Sequence, residues 1–328
     1  MSRLLTVEGL TTEFKTERGI VRAVNNISYT VDSGEIVGVV GESGCGKSVS
    51  QMSIMGLIPS PPGKVVAGTA IFGNTDLLKL KKESKEMCEI RGNRISMIFQ
   101  EPMTSLNPAL TVNKQMSEML LEHKSISKKE ARERVIDMLR QVGIPDPESR
   151  ADDYPHQMSG GMRQRVMVGM AMICDPALII ADEATTALDA TIQAQLLEMM
   201  NNLVREHHTA MVMVTHNLGI VARYADRINV MYAGSIIESG TVKEIWANPL
   251  HPYTESLIHC VPQLGQKVEA IPGMPPSLIN RPPTCPFLPR CKYRQKCCFE
   301  DPVQELTLVE GTHSTMCALR SGGAKNEQ

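Results

Sequence analysis

The stretch Gly41-Glu42-Ser43-Gly44-Cys45-Gly46-Lys47-Ser48 decides the fold. It fits the pattern G-x-x-x-x-G-K-[ST] of a phosphate-binding loop. An apolar run, Ile36 to Val40, precedes it and reads as a buried strand, and Val49–Leu57 follows as the start of a helix. The glycines let the backbone curl until several N–H groups face one phosphate cluster. The helix N-terminus adds its positive dipole at the same place. Lys47 can then reach the β- and γ-phosphates, and the Ser48 hydroxyl can bind Mg²⁺. The strand–loop–helix setting separates this reading from a chance glycine-rich turn.

The chain has 328 residues, room for one large domain and a smaller one, and its 42% hydrophobic content is ample for a core. A net charge of −2 and 4% aromatic residues give neither a basic nor a base-stacking surface, so no nucleic-acid partner is expected. There is no run of about 18 apolar residues to span a membrane. The opening MSRLLTVEGL has no signal-peptide core. A cytosolic setting is therefore expected, with the nine cysteines not engaged in disulfides. Six of those cysteines lie at or after Cys260, and ten of the twenty prolines lie after 250. This shift in composition puts a domain boundary near 250, dividing 1–250 from 251–328.

Leu4–Leu10 and Ile27–Val31 alternate as strands, and Gly68–Phe72 and Ser96–Phe99 read as further strands. Residues 76–90 are charged and read as helical. Phe14 lies upstream of the loop, where it is either a strand core residue or an aromatic for stacking on adenine. Gln100 ends a strand and opens Gln100-Glu101-Pro102-Met103-Thr104-Ser105-Leu106-Asn107-Pro108. Its amide oxygen can coordinate Mg²⁺ or the attacking water.

Val112–Leu121 and Lys128–Val142 carry apolar residues at helical spacing. Met158-Ser159-Gly160-Gly161-Met162-Arg163-Gln164-Arg165 then opens a long helix. Ser159, Gly160 and Gly161 form a second anion site there, with a hydroxyl and bare backbone amides. Ala177-Leu178-Ile179-Ile180-Ala181-Asp182-Glu183 places two carboxylates at the C-terminal tip of a buried strand, the edge where parallel α/β sheets bind ligands. Asp182 can hold Mg²⁺, and Glu183 can polarise water for attack on a γ-phosphate. Ala187-Leu188-Asp189 follows. Met211–Val214 is another apolar strand, ending at Thr215-His216-Asn217, where His216 can sense or stabilise the γ-phosphate. Ile228–Tyr232 and Ser235–Ser239 read as a hairpin around Ala233-Gly234.

Taken in order, these six motifs resemble the ATP-binding subunits of ABC transporters over residues 4–245. The resemblance implies an α/β P-loop NTPase of ABC type. It would have an antiparallel β-subdomain, a helical subdomain at about 101–170, and a small irregular Cys/Pro-rich C-terminal domain. It implies ATP and Mg²⁺ as cofactors. Phe14, Gly41, Ser43, Gly44, Cys45, Gly46, Lys47, Ser48 and Val49 would contact ATP, with Ser48, Gln100 and Asp182 on Mg²⁺. Glu183 would act as base, with Gln100 and His216 aligning water and γ-phosphate. Ser159, Gly160 and Gly161 would meet the ATP held by a partner subunit, and Asp189 would lie in the dimer loop. Two departures stand out. Ala184 follows Glu183 where the family usually has the stiffer proline, and Met flanks Ser-Gly-Gly on both sides.

Within that family the chain is similar to the dipeptide, oligopeptide and nickel importers. Gln100–Pro108, Tyr154-Pro155-His156, Leu250-His251-Pro252-Tyr253-Thr254 and the cysteine-bearing tail carry this closer resemblance. It implies ATP hydrolysis that powers peptide import from the cytoplasmic face of the membrane, as a peripheral subunit. The implied partners are a second, homologous ATPase subunit, two permeases and an extracytoplasmic peptide-binding protein. Import of nickel or another small cargo is the alternative, as is a soluble ABC ATPase without a transport role.

The tail supplies Cys285, Cys291, Cys297, Cys298 and Cys317 on a proline-rich segment with a poor core, a setting that often needs a metal staple. The spacing has neither the C-x₂-C of common zinc sites nor a ferredoxin pattern, so it leaves iron–sulfur, zinc and free thiols open. The resemblance suggests a [4Fe-4S] cluster on Cys285, Cys291, Cys298 and Cys317, with Cys297 as a neighbour that can substitute. Cys45 reads as a packing residue inside the phosphate loop.

Overall fold

The computed structural model describes residues 2–99, 105–184, 189–262, 270–279, 281, 284–300 and 305–321. The chain divides into two compact units. The first holds Met1–Asp32, Ile36–Leu80 and Met213–Gln328, the second Ser33–Glu35 and Lys81–Val212.

In the first unit, β1 (Arg3–Thr16) and β2 (Gly19–Asp32) form a long antiparallel hairpin. Both are longer than the apolar alternation suggests. The added residues mix polar ones such as Glu13, Lys15 and Arg22 with apolar ones such as Val24, which is buried, and an antiparallel ladder tolerates the polar ones because one face can meet water. Next come β3 (Ile36–Val40), buried at every residue, and α1 (Lys47–Ile54). After α1, β4 (Gly63–Phe72) and β5 (Thr75–Asp76) complete an antiparallel sheet in the order β2-β1-β4-β5.

The expected helix over 76–90 is broken into two pieces. Leu77–Lys79 makes a single 3₁₀ turn, and only α2 (Lys85–Ile90) is α-helical. Asp76 accepts from Leu78 N at 3.2 Å and Ser84 from Met87 N at 3.3 Å, so each side chain starts its own short turn.

The second unit pairs β6 (Ile95–Ile98) in parallel with β7 (Leu178–Asp182), with Ile95 opposite Leu178. Between these strands lie α3 (Val112–His123), α4 (Lys128–Gln141), α5 (Pro147–Arg150) and α6 (Gly160–Met172). Apolar spacing and caps explain the first two. Val112, Met116 and Leu120 are buried behind the Thr111 cap, and Ala131, Val135, Met138 and Leu139 behind the Ser127 cap. The helix α7 (Ala190–Glu206) follows β7, and β8 (Ala210–Thr215) leads the chain back to the first unit.

There α8 (Leu218–Tyr224) precedes β9 (Arg227–Tyr232), which runs parallel to β3. The predicted hairpin is present, with β10 (Ser235–Thr241) returning beside β9. Its two turn residues, Ala233 and Gly234, have φ of 46° and 85°, as the twist of a two-residue turn requires. Then come α9 (Val242–Ala247) and α10 (Pro252–His259). The tail adds α11 (Cys297–Glu300), β11 (Thr307–Glu310) and β12 (His313–Thr315). Both strands join the sheet of β10, giving the order β11-β12-β10-β9-β3 within this unit.

Two carboxylates fasten this tail. Buried Glu238 accepts from Leu250 N and His251 N at 2.8 Å each and lies 2.7 Å from His313 Nε2. Glu244 closes a capping box with Thr241 and accepts from Thr312 N and Oγ1 at 3.2 and 2.7 Å. Burial pushes the Glu244 carboxyl up, but the Thr312 and Thr241 donors outweigh it and hold the group down to about 2. E244A is expected to cost about 1–2 kcal/mol of stability at neutral pH. Because the folded value is depressed, this contribution exists above the ordinary carboxylate range, near 4.3, and fades as pH falls toward 2. Chemical denaturation of parent and variant at several pH values should show their gap narrowing in acid.

Candidate functional site

The phosphate loop leaves buried β3 and turns into α1 with no side chain capping that helix at Gly46. Gly46 sits at φ 100°, and a Cβ there would lie 2.1 Å from the Ala23 carbonyl oxygen, so only glycine fits. Lys47 is 4% exposed, and its ammonium donates to the carbonyls of Gly41 at 2.9 Å and Glu42 at 3.1 Å. An incoming phosphate can take over that ammonium without further burial of charge. Ser43 and Gly44 are exposed at the tip, Ser48 and Val49 are half-buried, and Gly41 and Cys45 are buried. Burial pushes the Cys45 thiol up, against the pull of Lys47, which suits a packing residue. Phe14 is half-buried in β1, its ring edge close over Gly63. His216, also in the first unit, is exposed directly after β8, and Asn217 beside it caps α8.

In the second unit, Asp182 is buried at the end of β7. Glu183 follows with φ 47°, a left-handed conformation that is strained for a non-glycine residue. The next carbonyl, that of Ala184, accepts a hydrogen bond from the buried Gln164 side chain of α6. Gln164 thus braces the turn that lacks proline, a role its sequence position does not announce. Ser159 caps α6, accepting from Met162 N at 3.3 Å, and Ser159 and Gly160 are exposed. Asp189 is exposed and caps α7 through Thr191 N and Ile192 N at 3.1 and 3.0 Å. Gln100, Ala187 and Leu188 lie outside the described residues.

The tail brings four of its cysteines to one place. Cys285, Cys291, Cys298 and Cys317 line a cavity of about 20 Å³ together with His251, Phe287, Leu288 and Met316. Cys297 is not among the lining residues. Burial pushes Cys285 up to about 11, and the charges of Cys317, Cys291 and Cys298 push the same way. Burial raises Cys291 and Cys317 as well. Burial lowers the fully enclosed His251 to about 4, so its ring is neutral. Its Nδ1 accepts from Tyr253 N at 3.1 Å, which puts the ring proton on Nε2, 3.9 Å from Cys285 Sγ. Among the described residues, no group of three or more His, Cys, Asp or Glu is arranged to hold a metal ion.

Comparison with known proteins decides the family. The ABC transporter profile matches residues 24–186, and the profile for the oligopeptide/dipeptide transporter C-terminal region matches 237–298. The chain is 49% identical to the dipeptide transport ATP-binding protein DppD of Bacillus subtilis, over 99% of this chain and 97% of that one. The chain belongs to the ATP-binding proteins of ABC transporters. It is an ABC ATPase, with an oligopeptide/dipeptide transporter type of C-terminal region. This ABC ATPase is also 49% identical to the oligopeptide transport ATP-binding protein OppD of Bacillus subtilis, covering 92% of this chain and 84% of that one. Among solved structures, the ATP-binding cassette MJ0796, a dimer in a post-hydrolysis state with ADP and Pi, is similar with a TM-score of 0.64. It is 26% identical and covers 73% of this ABC ATPase and 98% of its own chain.

The α/β fold expected for an ABC ATPase is thus present, antiparallel subdomain included. Three contributors in this ABC ATPase were not foreseen as such: Gln164, His251 and Tyr253. The last two sit in the quoted Leu250–Thr254 motif, but nothing in its spacing points to the loop or the cysteines they contact.

Proposed function

We propose that this chain hydrolyses ATP to power import of di- or oligopeptides through a membrane ABC transporter. The reading is carried by near-half identity along the whole chain to dipeptide and oligopeptide transport ATP-binding proteins, tail included. ATP lies on the phosphate loop, with Lys47 on its β- and γ-phosphates and Ser48, Gln100 and Asp182 on Mg²⁺. Glu183 takes the proton of the attacking water while Gln100 and His216 align it. These roles are supported by Asp182, buried at a strand tip, and by Glu183, on a strained turn just beyond.

The Ser159-Gly160-Gly161 corner serves the ATP of a second ATPase subunit. A Cβ on Gly160 would meet nothing within 4 Å, so this chain's own packing does not require glycine there. A surface glycine beside a helix N-terminus suits a close outside approach by phosphate. The further partners are two permeases and an extracytoplasmic peptide-binding protein. No helix among the described residues is long and apolar enough to cross a membrane, which agrees with a peripheral subunit held by permeases at the cytoplasmic face. In this reading residues 1–250 are the ATPase domain, with its helical subdomain at about 101–170, and 251–328 the peptide-importer domain.

We propose a [4Fe-4S] cluster on Cys285, Cys291, Cys298 and Cys317, the four cysteines that line one cavity. A cluster bonds each of its four thiolates to a different iron. When bound, it would staple a proline-rich tail, and His251 would donate to the Cys285 sulfur.

Uptake of labelled peptides and of nickel, measured in cells lacking this chain, tests the cargo. Peptide uptake should fall and return with the parent chain but not with K47A. Loss of nickel uptake with peptide uptake intact would reverse the cargo assignment.

A further inference from the structure

The segment between Cys285 and Cys291 also reaches the phosphate loop. Arg290 sits one residue before Cys291, its side chain only 4% exposed, and forms a two-pronged ion pair with Glu42. Its Nη1 lies 2.8 Å from Glu42 Oε2 and its Nη2 3.0 Å from Oε1. The remaining donors are spent as well. Nε donates to the Pro272 carbonyl at 2.8 Å, Nη1 to the Tyr232 hydroxyl at 3.1 Å and Nη2 to the Ile271 carbonyl at 3.2 Å. All five N–H directions of the guanidinium are thus used, which lysine cannot reproduce. Tyr253 accepts from Glu42 N at 2.9 Å, and the Tyr232, Tyr253 and Phe287 rings pack together beside the pair.

Glu42 is the second residue of a loop whose task is to hold a polyanion. A bare carboxylate there opposes that task, because like charges at close range in a partly buried site repel strongly. Its field reaches into the loop: the Cys45 thiol, raised first by burial, is raised further by the Glu42 charge. We infer that Arg290 is a positioning residue for ATP binding: it neutralises Glu42 and fixes the start of the phosphate loop, so the tail sets the affinity of this ABC ATPase for nucleoside triphosphate. The inference rests on the loop at 41–48 being the ATP site. If ATP binds elsewhere, K47A will bind ATP as the parent does, and that failure is separate from the ones below.

The test measures ATP affinity and turnover of the assembled transporter for the parent, R290A, R290K and the double variant E42Q/R290A. In R290A the apparent KM for ATP should rise about tenfold with a much smaller change in kcat. The deficit should shrink at high salt, since screening length drops from about 10 Å at 0.1 M to about 3 Å at 1 M. R290K should recover part of the affinity, having the charge without the fork. E42Q/R290A should recover most of it, because the repelling charge is gone although the pair is still broken. If E42Q/R290A binds ATP as weakly as R290A, and salt does not help, the pair is only structural and the inference falls. If R290A binds ATP as the parent does, it falls as well.

Discussion

An E183Q subunit is expected to bind ATP and to turn it over about a thousandfold more slowly than the parent, the usual weight of a positioned general base. The amide keeps the shape of the side chain and can still hydrogen-bond water, but it cannot accept its proton. Binding should survive because Glu183 belongs to the turn after β7, whereas the phosphate grip rests on the loop from Gly41 to Ser48. The backbone makes the experiment clean. Glu183 already occupies a left-handed conformation, φ 47°, and Gln carries the same Cβ and the same strain. Single-turnover hydrolysis and retention of labelled ATP on the assembled complex separate the two effects. Near-parent turnover by E183Q would move the base elsewhere. A companion variant, Q164A, removes the bond to the Ala184 carbonyl and should slow turnover by a smaller factor, about tenfold, through loss of positioning.

The second large effect concerns the tail. Protein purified without oxygen should carry about four irons per chain, and C285S or C317S should lose most of them along with the visible absorption. C298S should behave like these two, while C297S should keep its iron, because Cys298 lines the cavity and Cys297 does not. Metal affinity counts as folding free energy where the protein around the site has little core of its own. The iron-free variants should therefore unfold from the tail at lower temperature. One zinc per chain, equally lost in C285S, would keep the staple and change its chemistry. Full iron content in both C285S and C317S would remove these residues as ligands.

Much of this was legible because it is local. A strand, a turn and a helix start within twenty residues reveal the phosphate loop, and the apolar run ending at Asp182 reveals β7. The hairpin around Ala233-Gly234 and the helix opening at Ser159-Gly160-Gly161 are likewise short-range. What escaped is long-range. Arg290 and Glu42 stand 248 residues apart, and no periodicity links them. The buried cluster of Glu238, His251 and His313 needs three separate segments to meet. The helix expected over 76–90 failed for another reason: Asp76 and Ser84 each offered the backbone a local partner that ended the pattern. The long hairpin of β1 and β2 exceeded the expected strands because polar residues such as Glu13, Lys15, Arg22 and Asn25 interrupt the apolar signal of its outer part.

Peptide-coupled ATP hydrolysis is tested by the rate at which the assembled transporter hydrolyses ATP in lipid vesicles, with and without peptide-loaded binding protein. Peptide-loaded binding protein is expected to raise hydrolysis several-fold, and K47A to remove both basal and stimulated activity. Hydrolysis indifferent to peptide, or undiminished in K47A, would contradict this expectation.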